Sequence, residues 1–336
     1  MAVIRDIIPA FELYQPASID DALRLLDKFG ADALVLAGGL DSMDWLKDRL
    51  KRPKAVVDLA QIKELHGVRE ANGGLEIGAM TTLTEVANHA LVKDRYALLA
   101  QAAGLVASPQ IRNQGTMGGN VSQDARCWYY RAGWPCYRDG GNICYADTPT
   151  SVNREHAIFD ADRCVAVNPS DSAPALIALD AQMVIKRGGQ DLVVAAQDFF
   201  VGPGVDITNL TILRPSDLLT AIRIPSTWAS KQFYFEKVRD RQVWDFALVN
   251  IASAINASGN TISDVRMVVN GVAARPHRLE AVESFLKGKA RNAQTADQAA
   301  EIAVQGAVPL RHNAYKVPLV KALVKRAIRG ADEWTS

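Results

Sequence analysis

The stretch 33–59, ALVLAGGLDSMDWLKDRLKRPKAVVDL, decides the fold class. A short apolar strand, Ala33 to Ala37, runs straight into Gly38-Gly39. The helix-like DSMDWLKDRL follows, and KAVVDL closes the unit as a second strand. A glycine turn at a helix start presents successive backbone N–H groups, which suits phosphate oxygens. The same Gly-Gly also makes a tight turn with no ligand, so the pair alone decides nothing about binding.

Working outward, PASIDDALRLLDKFG (16–30) is an amphipathic helix with Ser18 as N-cap and Gly30 as its stop. A second glycine-rich turn, GTMGGN (115–120), comes after the helical YALLAQAAGLVAS and the turn PQIRNQ. Two such turns suit a dinucleotide whose pyrophosphate needs donors from two sides. Neither fits G-x-G-x-x-G, so a standard Rossmann site is not supported. Farther on, NPSDSAPALIALDAQMVIKR reads as turn, helix and strand, and LTILRPSDLLTAIRIP ends in a strand before Pro225. From Lys231 the pattern changes. KQFYFEKVRDRQ and DFALVNIASAINASGNTISDVRMVVNG read as antiparallel strands turning at Gly259-Asn260. HRLEAVESFLKG, QTADQAAEIAVQGA and YKVPLVKALVKRAIRG are helical by their apolar spacing. The expected class is α+β, with divisions at 1–60, 61–225 and 226–336: a small N-terminal α/β part, a larger α/β domain, and a C-terminal antiparallel sheet with a helical bundle.

Composition limits the function. The chain has 336 residues, more than one core usually serves, so two or three domains are expected. Its net charge of +1 offers no field to attract nucleic acid or anionic lipid. No apolar run is long enough to span a bilayer. The start, MAVIRDIIPAFELYQP, lacks the features of a signal peptide.

All 4 cysteines fall between Cys127 and Cys164, three of them in RCWYYRAGWPCYRDGGNIC (126–144). The spacing lacks the C-x2-C of most structural zinc sites. Four readings stand: buried free thiols, two disulfides, a four-cysteine zinc site, or an iron–sulfur cluster, which tolerates irregular spacing. Trp128, Tyr129, Tyr130, Trp134, Tyr137 and Tyr145 would exclude water around thiolates. Arg126, Arg131 and Arg138 would offset the negative charge of a cluster, and Gly140-Gly141 would let the chain turn between ligands.

With AGGLDS, GTMGGN and PSDSAPALIALDA in view, the sequence resembles the FAD-binding medium subunits of molybdenum hydroxylases, the xanthine dehydrogenase and aldehyde oxidoreductase family. The resemblance covers nearly the whole chain. Leu40 replaces the family's common threonine and Met117 its isoleucine. VSQDARCWYYR, CYRDGGNICYA, NREHAIF and CVAVNPSD resemble the subset with a 4Fe–4S insertion, here at about 122–165. That resemblance implies that Cys127, Cys136, Cys144 and Cys164 ligate one cluster. It implies FAD pyrophosphate on Ala37, Gly38, Gly39, Leu40, Asp41 and Ser42, with Thr116, Gly118, Gly119 and Asn120 closing from the other side. It sets Asp171 against the ribityl or adenosine part of FAD, and Leu219 and Lys237 near the flavin. Lys237 reads equally as a surface lysine on a strand, and His156, a ligand candidate, reads more readily as a hydrogen-bonded structural residue.

The implied function is electron transfer, with no catalytic residue on this chain. A large subunit with a molybdenum cofactor and a small subunit with 2Fe–2S clusters would be the partners. An external acceptor would take the electrons, and aldehydes or N-heteroaromatics would be oxidised. The compartment would be the cytoplasm, or the periplasm by co-export with a signal-bearing partner. A self-sufficient FAD-dependent oxidase and a zinc-binding scaffold are the alternatives.

Overall fold

The computed structural model describes residues 7–71 and 73–329. The expected outer limits at residues 1 and 336, and the last residue of the helical stretch YKVPLVKALVKRAIRG, lie outside them. Three sheets follow one another along the chain. The first holds β1 (Glu12–Tyr14), β2 (Ala33–Leu36) and β3 (Ala55–Asp58), parallel in the order β1-β3-β2. The helix Ile19–Phe29 returns the chain from β1 to β2. Ser18 Oγ accepts from Asp21 N at 3.1 Å, and Gly30 ends the helix at φ +52°. Its Ala22, Leu23 and Leu26 are buried against Val57, Leu59, Ile62 and Leu65, as its apolar spacing requires.

The second sheet is antiparallel, in the order β4-β5-β8-β6-β7. It comprises β4 (Val68–Ala71), β5 (Gly74–Gly78), β6 (Gln182–Arg187), β7 (Gln190–Ala195) and β8 (Leu218–Ile224). Its core includes Leu75, Ile77, Met183, Ile185 and Ile222, packed with helices Leu83–Asn88, Ala97–Gly104 and Ser172–Ala178. The sequence identifies β6 and β8 but not β4, β5 or β7. PQIRNQ is a correction: Pro109–Gln114 is a short helix, capped by Ser108 Oγ with Pro109 in its first turn. Proline is tolerated there because the first-turn N–H has no helical partner anyway.

The third sheet, β12-β11-β10-β9, is also antiparallel. It holds β9 (Gln232–Val238), β10 (Val249–Ser258), β11 (Thr261–Asn270) and β12 (His277–Arg278). The β10–β11 turn falls at Gly259-Asn260, with Gly259 at φ +58°. Both faces of this sheet are covered, and strand alternation shows how. Val249, Ile251 and Ile255 face a core shared with helices Glu280–Leu286, Ala293–Ala303 and Lys316–Arg329. Ala252, Ala254 and Val268 face the core of the second sheet. Asp180 reinforces this junction, accepting from Trp228 Nε1 at 2.6 Å and Arg266 Nε at 3.0 Å.

Candidate cofactor sites

A cavity of about 440 Å³ opens where the two glycine motifs meet, within the usual range for ligand pockets. The chain leaves β2 at Leu36, turns with Gly39 at φ +79°, and enters the helix Ser42–Lys47. A Cβ on Gly38 would lie 2.3 Å from the Gln114 carbonyl oxygen, so the two motifs touch backbone to backbone. A Cβ on Gly118 would meet Ala79 at 2.8 Å. Gly119 differs. Its Cβ would meet only Thr116 Oγ1 at 3.0 Å and Ala37 Cβ at 3.8 Å. Thr116 Oγ1 in turn accepts from Gly119 N at 3.0 Å, capping the short helix Met117–Val121.

The lining brings together Ala37, Gly38, Gly39, Leu40, Asp41, Ser42, Thr116, Gly118, Gly119, Asn120 and Leu219. Asp171 and Lys237 are not on it. They form a buried ion pair at 2.5 Å, with Asn250 Nδ2 donating to Asp171 at 2.8 Å. Lys237 and Asn250 are cross-strand neighbours on β9 and β10, so the third sheet presents both groups to one carboxylate. Burial pushes the Asp171 carboxyl up, and Lys237 and Asn250 pull against it. This location excludes the surface-lysine reading of Lys237.

The cavity also draws in residues the motifs did not indicate. Trp45 Nε1 and Gln123 Oε1, one donor and one acceptor, are buried without partners on lining residues. Arg214 and Lys51, the latter 3.9 Å from Asp124, add positive charge at a wall that also holds Asp41, Asp124 and Asp217. Trp45 and Arg214 stand inside quoted stretches, DSMDWLKDRL and LTILRPSDLLTAIRIP; an indole soon after Gly38-Gly39 was the available signal for Trp45, and nothing local marks Arg214. These are cradles and unsatisfied groups of the kind a bound FAD would complete.

The 4 cysteines are free thiols and line one small cavity with Tyr129, Tyr130, Tyr137 and Tyr145. Cys136 and Cys164 are buried, and Cys127 and Cys144 half-buried. Burial pushes the Cys127 thiol up to about 11, and raises Cys144 too. Trp134 meets Tyr129 and Tyr145 edge-on, with ring centroids 5.2 and 4.8 Å away. Two of the arginines are a correction. Arg126 and Arg131 both pair with Asp41, and Arg138 pairs with Asp124 at 3.0 Å. Arg126 and Arg131 thereby fasten the segment to the first glycine motif, while Arg138, paired with Asp124, stays on the wall of the cysteine cavity, which Arg163 also lines.

Among the described residues, no three His, Cys, Asp or Glu side chains stand close enough to share one metal ion. Thiolates on a single zinc, with Zn–S of about 2.3 Å, would be on the order of 4 Å apart. Four thiolates on a four-iron cube bind different irons and stand farther apart. Donor type, donor number and the apolar wall fit such a cube, although the space between the side chains is only about 10 Å³. His156 is buried with Nε2 3.2 Å from Cys127 Sγ, and burial pushes it down to about 4. A thiol raised to about 11 beside this imidazole is no nucleophile pair.

Residues 9–227 match the family described as the FAD binding domain in molybdopterin dehydrogenase. Residues 233–331 match the CO dehydrogenase flavoprotein C-terminal domain. The carbon monoxide dehydrogenase medium chain of Hydrogenophaga pseudoflava is 31% identical, over 96% of this chain and 97% of that one. The aldehyde oxidoreductase FAD-binding subunit PaoB of Escherichia coli is 34% identical, over 86% and 88%. Among solved structures, a chain of the H. pseudoflava carbon monoxide dehydrogenase superposes with a TM-score of 0.76 at 29% identity, covering 97% and 98%.

Proposed function

The chain belongs to the FAD-binding medium subunits of molybdenum hydroxylases, and from that premise we propose that it carries FAD and one 4Fe–4S cluster as an electron-transfer subunit. When bound, FAD accepts electrons in pairs or singly, so it can join a two-electron oxidation to one-electron carriers. The residues of this chain do the holding. The turns at Gly38-Gly39 and Gly118-Gly119 offer backbone donors to the pyrophosphate, with Lys51 and Arg214 adding charge. Trp45 Nε1 and Gln123 Oε1 offer one donor and one acceptor to a polar edge of the dinucleotide. Asp171 and Lys237 act from behind the wall, by holding β9 and β10 against the segment that follows Asn168.

The observation that carries the cluster is that Cys127, Cys136, Cys144 and Cys164 line a single cavity. The Asp41 ion pairs with Arg126 and Arg131 then couple that cavity to the flavin motif. Oxidation of substrate, an aldehyde or an N-heteroaromatic compound, belongs to a large subunit with a molybdenum cofactor. A small subunit with 2Fe–2S clusters passes the electrons on, and an external acceptor removes them from this chain. An absorption spectrum tests the assignment. Flavin bands with a broad iron–sulfur shoulder support it, flavin bands alone favour a self-sufficient oxidase, and a colourless protein with zinc favours a scaffold. The isolated chain should accept electrons from a chemical reductant and turn over no aldehyde or heteroaromatic substrate.

A further inference from the structure

His156 is a buried polar group that the flavin cavity does not use. It is 4% exposed, and its Nε2 lies 3.2 Å from Cys127 Sγ. Its backbone is held firmly: the carbonyl accepts from Asn313 Nδ2 and from Lys316 Nζ, each at 3.0 Å. Lys316 is fully buried and also donates to the carbonyls of Glu155 at 2.9 Å and Gly271 at 2.6 Å. The helix Lys316–Arg329 therefore fixes the His156 backbone from the third domain, and the ring has little room to leave Cys127.

The second nitrogen, Nδ1, is buried without a partner. His156 lines a cavity of about 50 Å³ that Cys127, Asn250 and Asn270 also line. Asn250 donates through Nδ2 to Asp171 and Asn270 through Nδ2 to the Ser170 carbonyl, both at 2.8 Å. Those partners only accept, so the orientation of both amides is fixed. Their Oδ1 atoms are left as bare acceptors. The cavity has room for about three waters at roughly 10–15 Å³ each, and three polar atoms to hold them. A sulfur that accepts from Nε2 keeps the imidazole proton there and leaves Nδ1 as a third acceptor on this cavity.

We propose that His156 is a potential-setting residue, donating Nε2–H to Cys127 Sγ. This rests on the cluster assignment above, because a metal-bound thiolate is an acceptor whereas a free thiol would donate instead. A hydrogen bond to a ligating sulfur draws electron density from the cluster and raises its reduction potential. His156 is not a ligand in this account, since four cysteines already fill four positions.

The test is a potentiometric titration followed by low-temperature EPR on iron-loaded full-length protein, unmodified and as His156→Leu and His156→Gln. The leucine variant should keep its iron and sulfide but show a lower midpoint potential. The glutamine variant, which keeps an N–H of similar reach, should return the potential toward the unmodified value. Equal potentials in all three proteins overturn the proposal. Loss of iron from both variants makes His156 a ligand and overturns it as well. If the leucine variant fails to fold, pulsed EPR on unmodified protein with 15N-labelled histidine decides. A weak nitrogen coupling and an exchangeable proton are expected, and either no coupling or the strong coupling of a direct ligand overturns the idea. Unmodified protein without iron sinks the cluster assignment itself and this inference with it, a result seen before any variant is made.

Discussion

The glycine-walled cavity and the cysteine segment are neighbours joined through Asp41, yet they are built differently. The cavity is shaped by backbone contact, with Gly38 against Gln114 and Gly118 against Ala79, and it sits at the ends of β2 and β8. The segment from 122 to 165 has one four-residue helix, Trp128–Arg131, and one 3-10 turn, Tyr137–Asp139. Side chains hold it in place: Arg131 Nε to the Ala125 carbonyl at 2.8 Å, Arg138 to the Thr208 carbonyl at 2.6 Å, and Ser151 Oγ to the Ala146 carbonyl at 2.6 Å. The first site is preorganised by the fold, while the second depends on ion pairs and on whatever its four sulfurs bind. Damage to one site should therefore spread to the other through Asp41 and through Asp124, which lines the flavin cavity and bonds Tyr130 and Arg138 of the cysteine cavity.

The largest expected effect breaks the cysteine side alone. Cys164→Ser should lose the whole cluster, about four irons and not one, because three thiolates seldom retain a cube. Flavin should stay, since Cys164 does not line the FAD cavity. Iron and flavin counted per chain check this, and loss of both cofactors would show that the sites are not separable.

On the other side, Gly119→Val should abolish FAD retention while leaving iron in place, because the new side chain projects where little but Thr116 stands in its way. Gly38→Ala is the control within the same motif. Its Cβ would sit 2.3 Å from a backbone oxygen, so it should lower the melting temperature as well as flavin content. Full flavin occupancy in Gly119→Val would remove that turn from the site.

A middle-sized effect falls on neither cavity. Lys237→Met leaves Asp171 buried without its cation and should cost about 3–5 kcal/mol in denaturant unfolding. Adding Asp171→Asn should restore much of that loss, and additive losses would argue that the pair does not act as a unit. Asp41→Asn should be smaller, at about 2 kcal/mol for two weakened charge-assisted bonds on a half-buried carboxylate. It is expected to lower flavin and iron content together. Should flavin fall with iron untouched, the ion pairs with Arg126 and Arg131 do not couple the sites.

The same contrast governs what the sequence makes legible. Ser18, Gly30 and the apolar rows of the first helix declare their structure locally, as does the β10–β11 hairpin at Gly259-Asn260. Both glycine motifs are visible, and so is the concentration of cysteines. Strand β5, GLEIG, is not, because it is buried on both faces and its Glu76 is satisfied by Arg69 and by Arg223 from a distant strand. No local pattern encodes that pairing. Asp171 and Lys237 were individually conspicuous, but their meeting depends on the third sheet docking onto the second. The arginines of the cysteine segment have an evident charge; their partners, Asp41 and Asp124, are revealed only by the folded chain.

The central claim, two cofactors in two adjoining sites on one chain, is tested most directly by counting. Freshly purified unmodified protein is assayed for FAD, iron, acid-labile sulfide and zinc per chain. The account predicts about one FAD with about four iron and four sulfide, and no stoichiometric zinc. Stoichiometric zinc, or flavin without iron and sulfide, would contradict it.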